Sequence, residues 1–266
     1  MGNIPDHFYS VGEVISSGQS VMDMPISGIP AIIRIKQEYL PAMYRMSEHS
    51  HFWILCWFHE ADRSLLQTQP KKINTKLPMY GVFGLRTPSR PNPIALSLVR
   101  LERIDGEELH VSGLDAFDGT TVLDIKPYFE ADIVFSPRTP YIRPQDYEMR
   151  KDFFRKQALA HHGEECLGLE LGVKMALLVD EHFGQIQSPD LKLTVCGDAC
   201  LADVLQGLTR ARLSNPSRFA YDGNAHQTEV SWEQSGKRMH VTVRQGVDIN
   251  IARQQPESEL FELKMG

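Results

Sequence analysis

Short apolar segments separated by turn residues dominate the first half of the chain. Residues 8–16, 31–35 and 95–104 carry apolar side chains in short runs, with glycines and prolines between them. Residues 50–59, SHFWILCWFH, are apolar throughout between two histidines, which is typical of a strand buried on both faces. Many short strands with turn signals between them predict a barrel or a sandwich.

Two Asp-Gly turns extend this β pattern to residue 128. The dipeptide at 105–106 predicts a tight hairpin, because a type I′ turn needs positive φ at both central positions. The dipeptide at 118–119 starts another turn, and it precedes a strand predicted over 120–128.

The pattern changes after a proline-containing stretch at 130–147, which predicts a linker. Residues 147–160 and 167–179 have helical periodicity, and Asp198 can cap a further helix over 199–209. Strands are predicted over 191–195, 229–232 and 239–243. The sequence therefore predicts a mainly β first domain over residues 1–145 and an α+β second domain over 146–266.

Composition is that of a soluble globular protein, with 42% hydrophobic and 23% charged residues among 266. The net charge of -6 excludes the overall positive charge that is typical of nucleic-acid-binding proteins, although it is compatible with a local basic surface. Residues 1–10 lack the apolar core of a signal peptide, and no apolar run approaches the roughly 20 residues that span a bilayer. The four cysteines do not form a disulfide framework, so we expect a cytoplasmic protein with reduced or metal-bound thiols and no membrane partner.

A proline-rich stretch, GVFGLRTPSRPNPIALS at residues 81–97, lies at the centre of the β region. Its three prolines fix φ and remove backbone donors, which excludes a helix or a central strand. Arg86 and Arg90 give this stiff loop two guanidinium groups, which suit an anionic or carboxylate-bearing ligand. A plain surface connection between strands is an equal alternative.

Three blocks in order resemble the TsaA/TrmO-like family: residues 50–59, residues 81–97, and LDAFDGTTVLDIKPY over 114–128. The resemblance covers about the first half of the chain. It implies a small β-barrel methyltransferase that binds S-adenosylmethionine and works as a homodimer. In characterised relatives the methyl acceptor is the threonylcarbamoyl-modified adenosine beside the tRNA anticodon.

The resemblance also implies site residues. An arginine can hold the methionine carboxylate of the cofactor, and a carboxylate can accept hydrogen bonds from its ribose or amino group. The implied cofactor-contacting positions are His59, Glu60, Arg86, Leu96, Phe117, Asp118, Gly119 and Thr120. The candidates for organising the methyl acceptor, and hence for catalysis, are Asn92, Asp124, Lys126 and Tyr128. For Asp124 the alternative is an ion pair with Lys126 or an arginine inside the barrel.

One departure from the family concerns the loop after the first strand. Family members usually carry Pro-Arg-Gln there, whereas residues 17–25 read SGQSVMDMP and contain no arginine. We still expect methyl transfer without this basic contact. The identity of the methyl acceptor, tRNA or another molecule, is then an open question. The alternatives are a small-molecule or metal-cofactor-precursor acceptor, and a sensor that binds S-adenosylmethionine and a metal without turnover.

Two blocks of the second region, residues 162–172 and 196–209, resemble FmdE-like domains, which are associated with metal binding and by name with molybdenum or tungsten formylmethanofuran enzymes. Residues 162–172, HGEECLGLELG, resemble the signature His-Gly-His-x-Cys-Pro-Gly-x-x-x-Gly, and 196–209, CGDACLADVLQGLT, resemble the second block. Glu164 replaces the second histidine and Leu167 replaces the proline.

The cysteine spacing supports a metal site from the residues themselves. His162 and Cys166 are four positions apart, as are Cys196 and Cys200. On helical turns each pair presents both side chains on one face, and imidazole and thiolate suit zinc or another transition metal. Glu164 is a possible replacement for one ligand. The alternatives are cysteines that act as small buried hydrophobes, and a tRNA-contacting tail like the C-terminal part of TrmO, which NPSRFAY at 215–221 loosely resembles.

Overall fold

The computed structural model describes residues 7–18, 20 and 24–266. The chain divides into two compact units, Met1–Ile133 and Val134–Gly266. The sequence-based prediction had placed this division after residue 145. The proline-containing segment belongs to the second unit because its side chains bind there: the Tyr141 hydroxyl donates to Asp180, and Arg143 Nε donates to the same carboxylate at 2.7 Å.

Six strands of the first unit close into an antiparallel barrel. They are β1 (Gly12–Ser16), β2 (Ile29–Ile35), β3 (His51–Trp57), β6 (Ile94–Asp105), β7 (Glu108–Leu114) and β8 (Thr121–Pro127), between which β4 (Gln67–Thr68) and β5 (Tyr80–Gly81) form a separate pair. The spatial order is β1-β2-β7-β6-β3-β8, and β1 pairs with β8 to close the ring. The predicted small β-barrel is confirmed.

Strand β3 shows how the sequence sets the inside of this barrel. Phe52, Ile54 and Cys56 are buried, whereas the residues between them are only half-buried. The prediction of a strand buried on both faces was therefore wrong, because a small barrel encloses one face only. Burial raises the pKa of the Cys56 thiol to about 12, as expected for a core residue without a chemical role.

The second unit is α+β, as predicted. Its strands are β9 (Lys192–Cys196), β10 (Phe219–Asp222), β11 (Glu229–Gln234), β12 (Lys237–Val243) and β13 (Phe261–Met265), in the spatial order β10-β9-β11-β12-β13. Its helices are α1 (Tyr147–His162), α2 (Leu167–Phe183), α3 (Ala199–Thr209), α4 (Ile249–Gln254) and α5 (Glu257–Leu260). No helix in the described part of the chain is long and apolar enough to cross a membrane.

Helix α2 is the centre of the second core. Leu169 and Met175 are fully buried on it, as is Trp232 on the sheet. Helix α3 approaches α2 closely at Gly168, where an added Cβ would lie 2.6 Å from the Cβ of Cys200. The Asp198 cap predicted for α3 is present, since its carboxylate accepts from the Leu201 N–H at 2.7 Å.

Candidate cofactor site and candidate metal centre

The end of the barrel at the C-terminus of β3 gathers most of the predicted cofactor residues. Trp57 is in register with Ile94 on one neighbouring strand and with Thr121 on the other. The residues after β3, before β6 and before β8 therefore meet at one end, which we call the cofactor end. Its members from the prediction are His59, Glu60, Asn92, Phe117, Asp118, Gly119 and Thr120.

A tight turn holds one side of the cofactor end. The Thr120 hydroxyl donates to the Phe117 carbonyl at 2.7 Å, and the Gly119 N–H donates to Val14 at 2.8 Å. Gly119 has a φ of 74°, a conformation that favours glycine. Thr120 is fully buried, so its side chain shapes the turn rather than presenting a contact.

Asp118 and His59 complete this side. One oxygen of the Asp118 carboxylate accepts from the Ser16 N–H at 3.1 Å, which ties the turn to the end of β1. The His59 ring meets Phe117 edge to face, with ring centroids 5.9 Å apart. Glu60 follows His59 and is exposed. The arrangement leaves one imidazole and two carboxylates at the rim of the barrel.

The two arginines of the proline-rich loop have different roles. Arg90 donates to the Leu85 carbonyl at 2.8 Å and to the Val82 carbonyl, so it holds the loop in shape. Arg86 is exposed, and no carboxylate or carbonyl among the described residues accepts a hydrogen bond from its side chain. Arg86 is thus the guanidinium of this loop that has no acceptor among the described residues.

A third arginine at the same loop was not predicted. Arg63 Nε donates to the Pro91 carbonyl at 3.0 Å, and its guanidinium lies 5.6 Å from the centroid of the Trp57 ring. Both contacts are tertiary, and no motif in the sequence marks this residue.

Leu96 lies on the outer surface of the barrel. It is 46% exposed and in register with Leu55, while Leu98 is 37% exposed and in register with Trp53. These four side chains form an outer apolar strip across β3 and β6.

The four acceptor-side candidates do not come together. Asn92 is exposed at the cofactor end, whereas the Tyr128 N–H binds the carbonyl of His51, at the other end of β3 and roughly 20 Å away along the strand. Asp124 and Lys126 lie between these ends and form an ion pair at 2.6 Å. That pair is solvent-exposed, not inside the barrel, because both residues alternate with the inward-facing Ile125.

A cavity of about 460 Å³ lies at the opposite end of the barrel. It is lined by aromatic and methionine side chains including Tyr39, Met43 and Phe52. Asp124 is the one predicted site residue among its lining residues. The loop after β1, where the sequence departs from the family, lies partly outside the described residues, which exclude Gln19 and residues 21–23.

In the second unit, four potential ligand atoms lie within 4.8 Å of one another. They belong to His162, Glu164, Cys166 and Cys200, which we call the His/Cys cluster. Helix α1 ends at His162, and Gly163 reverses the chain with a φ of 86°. This turn brings His162 and Cys166 together, and Cys200 joins them from α3, so three of the four predicted metal ligands meet without a continuous helix.

Hydrogen bonds orient the cluster. Nδ1 of His162 lies 2.8 Å from the Asp203 carboxylate, and its Nε2 lies 3.2 Å from the Cys166 sulfur. Cys166 caps α2, where its sulfur accepts from the Leu169 N–H at 3.3 Å. Cys200 lies in the first turn of α3. Burial and the neighbouring Cys166 raise the pKa of the Cys200 thiol, and a bound cation would reverse that effect.

Cys196, the fourth predicted ligand, is not a member of this cluster. It ends β9, in register with Asp222 and Glu229, and burial raises the pKa of its thiol. Its four-residue spacing from Cys200 does not fall on one helix, because Gly197 has a φ of 96° and α3 begins only after Asp198. Glu164 occupies the fourth position instead.

Two family models match the chain in separate regions. Residues 19–132 match the tRNA-methyltransferase O N-terminal domain. Residues 161–265 match FmdE, described as molybdenum formylmethanofuran dehydrogenase operon. The first match contains the cofactor end, and the second contains the whole His/Cys cluster.

Similar proteins carry two kinds of description. A probable S-adenosyl-L-methionine-binding protein of Methanothermobacter thermautotrophicus is 43% identical over 124 residues, which cover 45% of this chain and 88% of that protein. A protein of Archaeoglobus fulgidus with the same description is 31% identical over 198 residues, which cover 71% of this chain. The chain spans only 53% of the length of that protein. A mouse tRNA (adenine(37)-N6)-methyltransferase is 39% identical over 43% of this chain and 25% of its own length.

A crystal structure of TrmO from Pseudomonas aeruginosa is also similar. It is 22% identical, covers 90% of this chain and 92% of its own, and superposes with a TM-score of 0.43.

Proposed function

The chain belongs to the TrmO family, with an FmdE-type second unit, and from this premise we propose that it is an S-adenosylmethionine-dependent methyltransferase. The observation that carries the proposal is the convergence of the proline-rich loop, His59 and the 117–120 turn at the cofactor end. Relatives described as S-adenosyl-L-methionine-binding are 31% and 43% identical to the chain, and the matched TrmO-type domain, residues 19–132, contains this region.

Arg86 of the proline-rich loop and the two carboxylates of the cofactor end each have a task in this proposal. Arg86 binds the methionine carboxylate of the cofactor, since a guanidinium makes two parallel hydrogen bonds to a carboxylate. Glu60 and Asp118 accept hydrogen bonds from the ribose hydroxyls or the amino group. Methyl transfer from a sulfonium depends mainly on positioning, so this site needs no activated nucleophile of its own.

We propose a tRNA adenosine as the methyl acceptor. The support is the description of the mouse relative as a tRNA (adenine(37)-N6)-methyltransferase. Asn92 is the acceptor-side candidate nearest the cofactor end. Asp124, Lys126 and Tyr128 can contact the acceptor only if it extends along the outside of β8. A small molecule or a metal-cofactor precursor is the second acceptor class, and a sensor without turnover is the non-enzymatic one.

The outer apolar strip supports a homodimer through the barrel. Trp53, Leu55, Leu96 and Leu98 form a contiguous apolar surface, and a second copy of the chain would remove it from water. A monomer in sedimentation equilibrium at micromolar concentration would contradict this assembly.

Transfer of a labelled methyl group tests the function. Purified protein is incubated with methyl-labelled S-adenosylmethionine and, separately, with total tRNA or a protein-free small-molecule extract. Label in tRNA supports the proposed acceptor, and label in the extract alone supports the second class. Cofactor binding by calorimetry without transfer to either fraction would identify a sensor, and no cofactor binding at all would contradict the proposal.

For the second unit we propose a transition-metal site in the His/Cys cluster. Its two sulfurs, one imidazole and one carboxylate are a donor set that zinc accepts in tetrahedral geometry. His162 fits the role because a carboxylate holds its other ring nitrogen, as is usual for metal-bound histidine. Glu164 is the exposed ligand, so its position is open to exchange with water or a substrate group.

Elemental analysis of protein purified without chelator tests the metal site. The double variant Cys166→Ser/Cys200→Ser is expected to lose the metal and to keep cofactor binding by the first unit. Cys196→Ser is the matched control and is expected to retain the metal. Metal-free wild-type protein would instead identify these thiols as core residues.

A further inference from the structure

A second cavity lies within the second unit and has a volume of about 770 Å³. Its walls come from the proline-containing segment, from α1 and from the loops around Gln187 and Arg218. Five arginines line it: Arg138, Arg143, Arg150, Arg210 and Arg218. Asp180 is the carboxylate among the described lining residues, so the cavity carries a large excess of positive charge.

The carboxylates near the cavity already accept hydrogen bonds from protein groups. Arg143 donates to Asp180 at 2.7 Å, and the Tyr141 hydroxyl donates to the same carboxylate. Arg150 pairs with Glu181, which is not a lining residue. These contacts pair two of the five arginines with carboxylates, and no second carboxylate is among the described residues that line the cavity.

Among the described residues, Arg218 donates its side-chain hydrogen bonds to carbonyl groups. It donates to the carbonyls of Ser188 at 3.1 Å, Leu191 at 3.2 Å and Arg210 at 3.0 Å. These bonds fix its side chain but do not neutralise its charge. Burial and the nearby Arg212 lower the pKa of Arg218, and the Asp190 carboxylate offsets this effect only in part.

Arg210 is the most unusual of the five. It ends α3 in a left-handed conformation with a φ of 55°, and its guanidinium lies 5.7 Å from the centroid of the Phe135 ring. No carboxylate or carbonyl of the described chain accepts a hydrogen bond from this side chain. Burial lowers the pKa of Arg210, which means that the fold bears a cost for keeping it charged there.

Partly buried cations without counter-charges cost free energy unless a ligand supplies the missing acceptors. Phosphate oxygens suit this role, because guanidinium groups bind them with paired, charge-assisted hydrogen bonds. Phe153 and Phe154 add an apolar wall to the same cavity. We propose that this cavity binds an organic phosphate, with Arg210 as its main contact.

The organic phosphate can be a free metabolite or part of a nucleic acid chain, and both share the chemistry that the cavity recognises. Binding of inorganic phosphate, AMP and total tRNA to the full chain, measured by calorimetry, separates them. Saturable binding of phosphate and AMP that tRNA does not displace indicates a free metabolite. Displacement of AMP by tRNA indicates a nucleic acid. The readout is independent of methyl transfer, so it stands or fails separately from the proposed activity.

Arg212 provides a matched control for Arg210. It also lies over the Phe135 ring, with its guanidinium 5.9 Å from the centroid, but it is not a lining residue. Arg210→Gln is expected to weaken phosphate and AMP binding about tenfold or more, the loss typical of a hydrogen bond to a charged group. Arg212→Gln is expected to leave both affinities unchanged.

Two results would overturn the phosphate site. One is the absence of saturable binding of phosphate, AMP and tRNA to the wild-type protein in the millimolar range. The other is equal weakening by the two arginine substitutions, which would identify a general charge effect. Unfolding temperatures of both variants report whether a loss of binding reflects a misfolded second unit. Retention of the metal by both variants, as expected for Cys196→Ser, is a second measure of correct folding.

Discussion

Nδ1 of His162 lies 2.8 Å from Oδ2 of Asp203. This contact leaves Nε2, the other ring nitrogen, for the Cys166 sulfur at 3.2 Å and for any bound metal. Asp203 is the residue on α3 that faces the end of α1, so the orientation of the imidazole depends on the packing of these two helices. The geometry is that of a histidine prepared as a ligand by a carboxylate behind it.

Replacement of Asp203 tests that role. Asp203→Asn keeps the size of the side chain but removes the charge that fixes the imidazole, and we expect metal affinity to fall about tenfold to a hundredfold. Competition with a chromophoric chelator measures the affinity. Asp152→Asn, an exposed aspartate on α1, is the control and is expected to change nothing. Equal affinities of the Asp203 variant and the wild type would exclude Asp203 from the metal site.

The contact between α2 and α3 gives a prediction about two glycines. Gly→Ala inside a helix normally stabilises by about 1 kcal/mol. At Gly168 the added Cβ would meet the Cβ of Cys200 at 2.6 Å, and at Gly172 it would meet Val204 Cγ1 at 2.4 Å. We therefore expect both alanine variants to be destabilised, by about 1–3 kcal/mol through overpacking.

The two glycine variants differ in their effect on the metal. Gly168→Ala displaces Cys200 and is expected to lower metal affinity, whereas Gly172→Ala contacts Val204 and Leu201 and is expected to keep it. Thermal unfolding and elemental analysis of the same preparations distinguish the two effects. Stabilisation by Gly168→Ala would show that the helices are further apart than described.

Local rules predicted much of the fold and little of the sites. The barrel strands and the Asp198 cap follow from alternation and from capping chemistry, which depend on near neighbours in the chain. A spacing of four between Cys196 and Cys200 suggests one helical turn and so predicts two ligands on one face. The positive φ of Gly197 prevents a helix from spanning the two cysteines. The gathering of residues at the cofactor end came from the family resemblance, since it depends on strand order.

Arg63 and Arg210 show which site residues sequence motifs cannot predict. Arg63 contacts Trp57 and Pro91, and Arg210 contacts Phe135, across separations in sequence that no motif encodes. A charged residue after a strand or a helix is common on any surface. Only the tertiary fold distinguishes the guanidinium groups that face a site from those that face solvent.

Glu170 gives a prediction about pH. Burial alone raises the pKa of this carboxyl, but hydrogen bonds from Arg253 at 3.0 Å and Arg155 at 2.8 Å outweigh it and hold the pKa below the usual value. Its folded pKa is therefore below its unfolded one. The stabilisation is complete above the unfolded value, about 4.3, and is lost as the pH falls through the folded pKa.

The substitution Glu170→Gln tests this stabilisation. We expect it to destabilise the second unit by about 1–3 kcal/mol at neutral pH, because it leaves charged partners with a weaker acceptor. It should also flatten the loss of stability in acid. Hydrogen exchange of the α2 amides at several pH values measures both effects. Glu148→Gln, at an exposed position on α1, is the control. An unchanged acid profile would assign the acid sensitivity to other carboxyls.

The last prediction separates the two arginines of the proline-rich loop. Arg86→Ala is expected to weaken S-adenosylmethionine binding by about 1.5–3 kcal/mol, the range for hydrogen bonds to charged groups. Its unfolding temperature should not change, because no described carboxylate or carbonyl accepts from this side chain. Arg86→Lys should recover only part of the affinity, since an ammonium group lacks the forked geometry of guanidinium.

Arg90→Ala should behave differently from Arg86→Ala. It removes the donor that holds the carbonyls of Val82 and Leu85, so the loop loses its shape and both stability and cofactor affinity should fall. Calorimetry and thermal unfolding of the two variants measure this contrast. Unchanged affinity of Arg86→Ala would remove Arg86 from the cofactor site. Equal loss of stability in both variants would mean that Arg86, like Arg90, supports the loop, and the carboxylate contact would then have to come from another cation at the cofactor end.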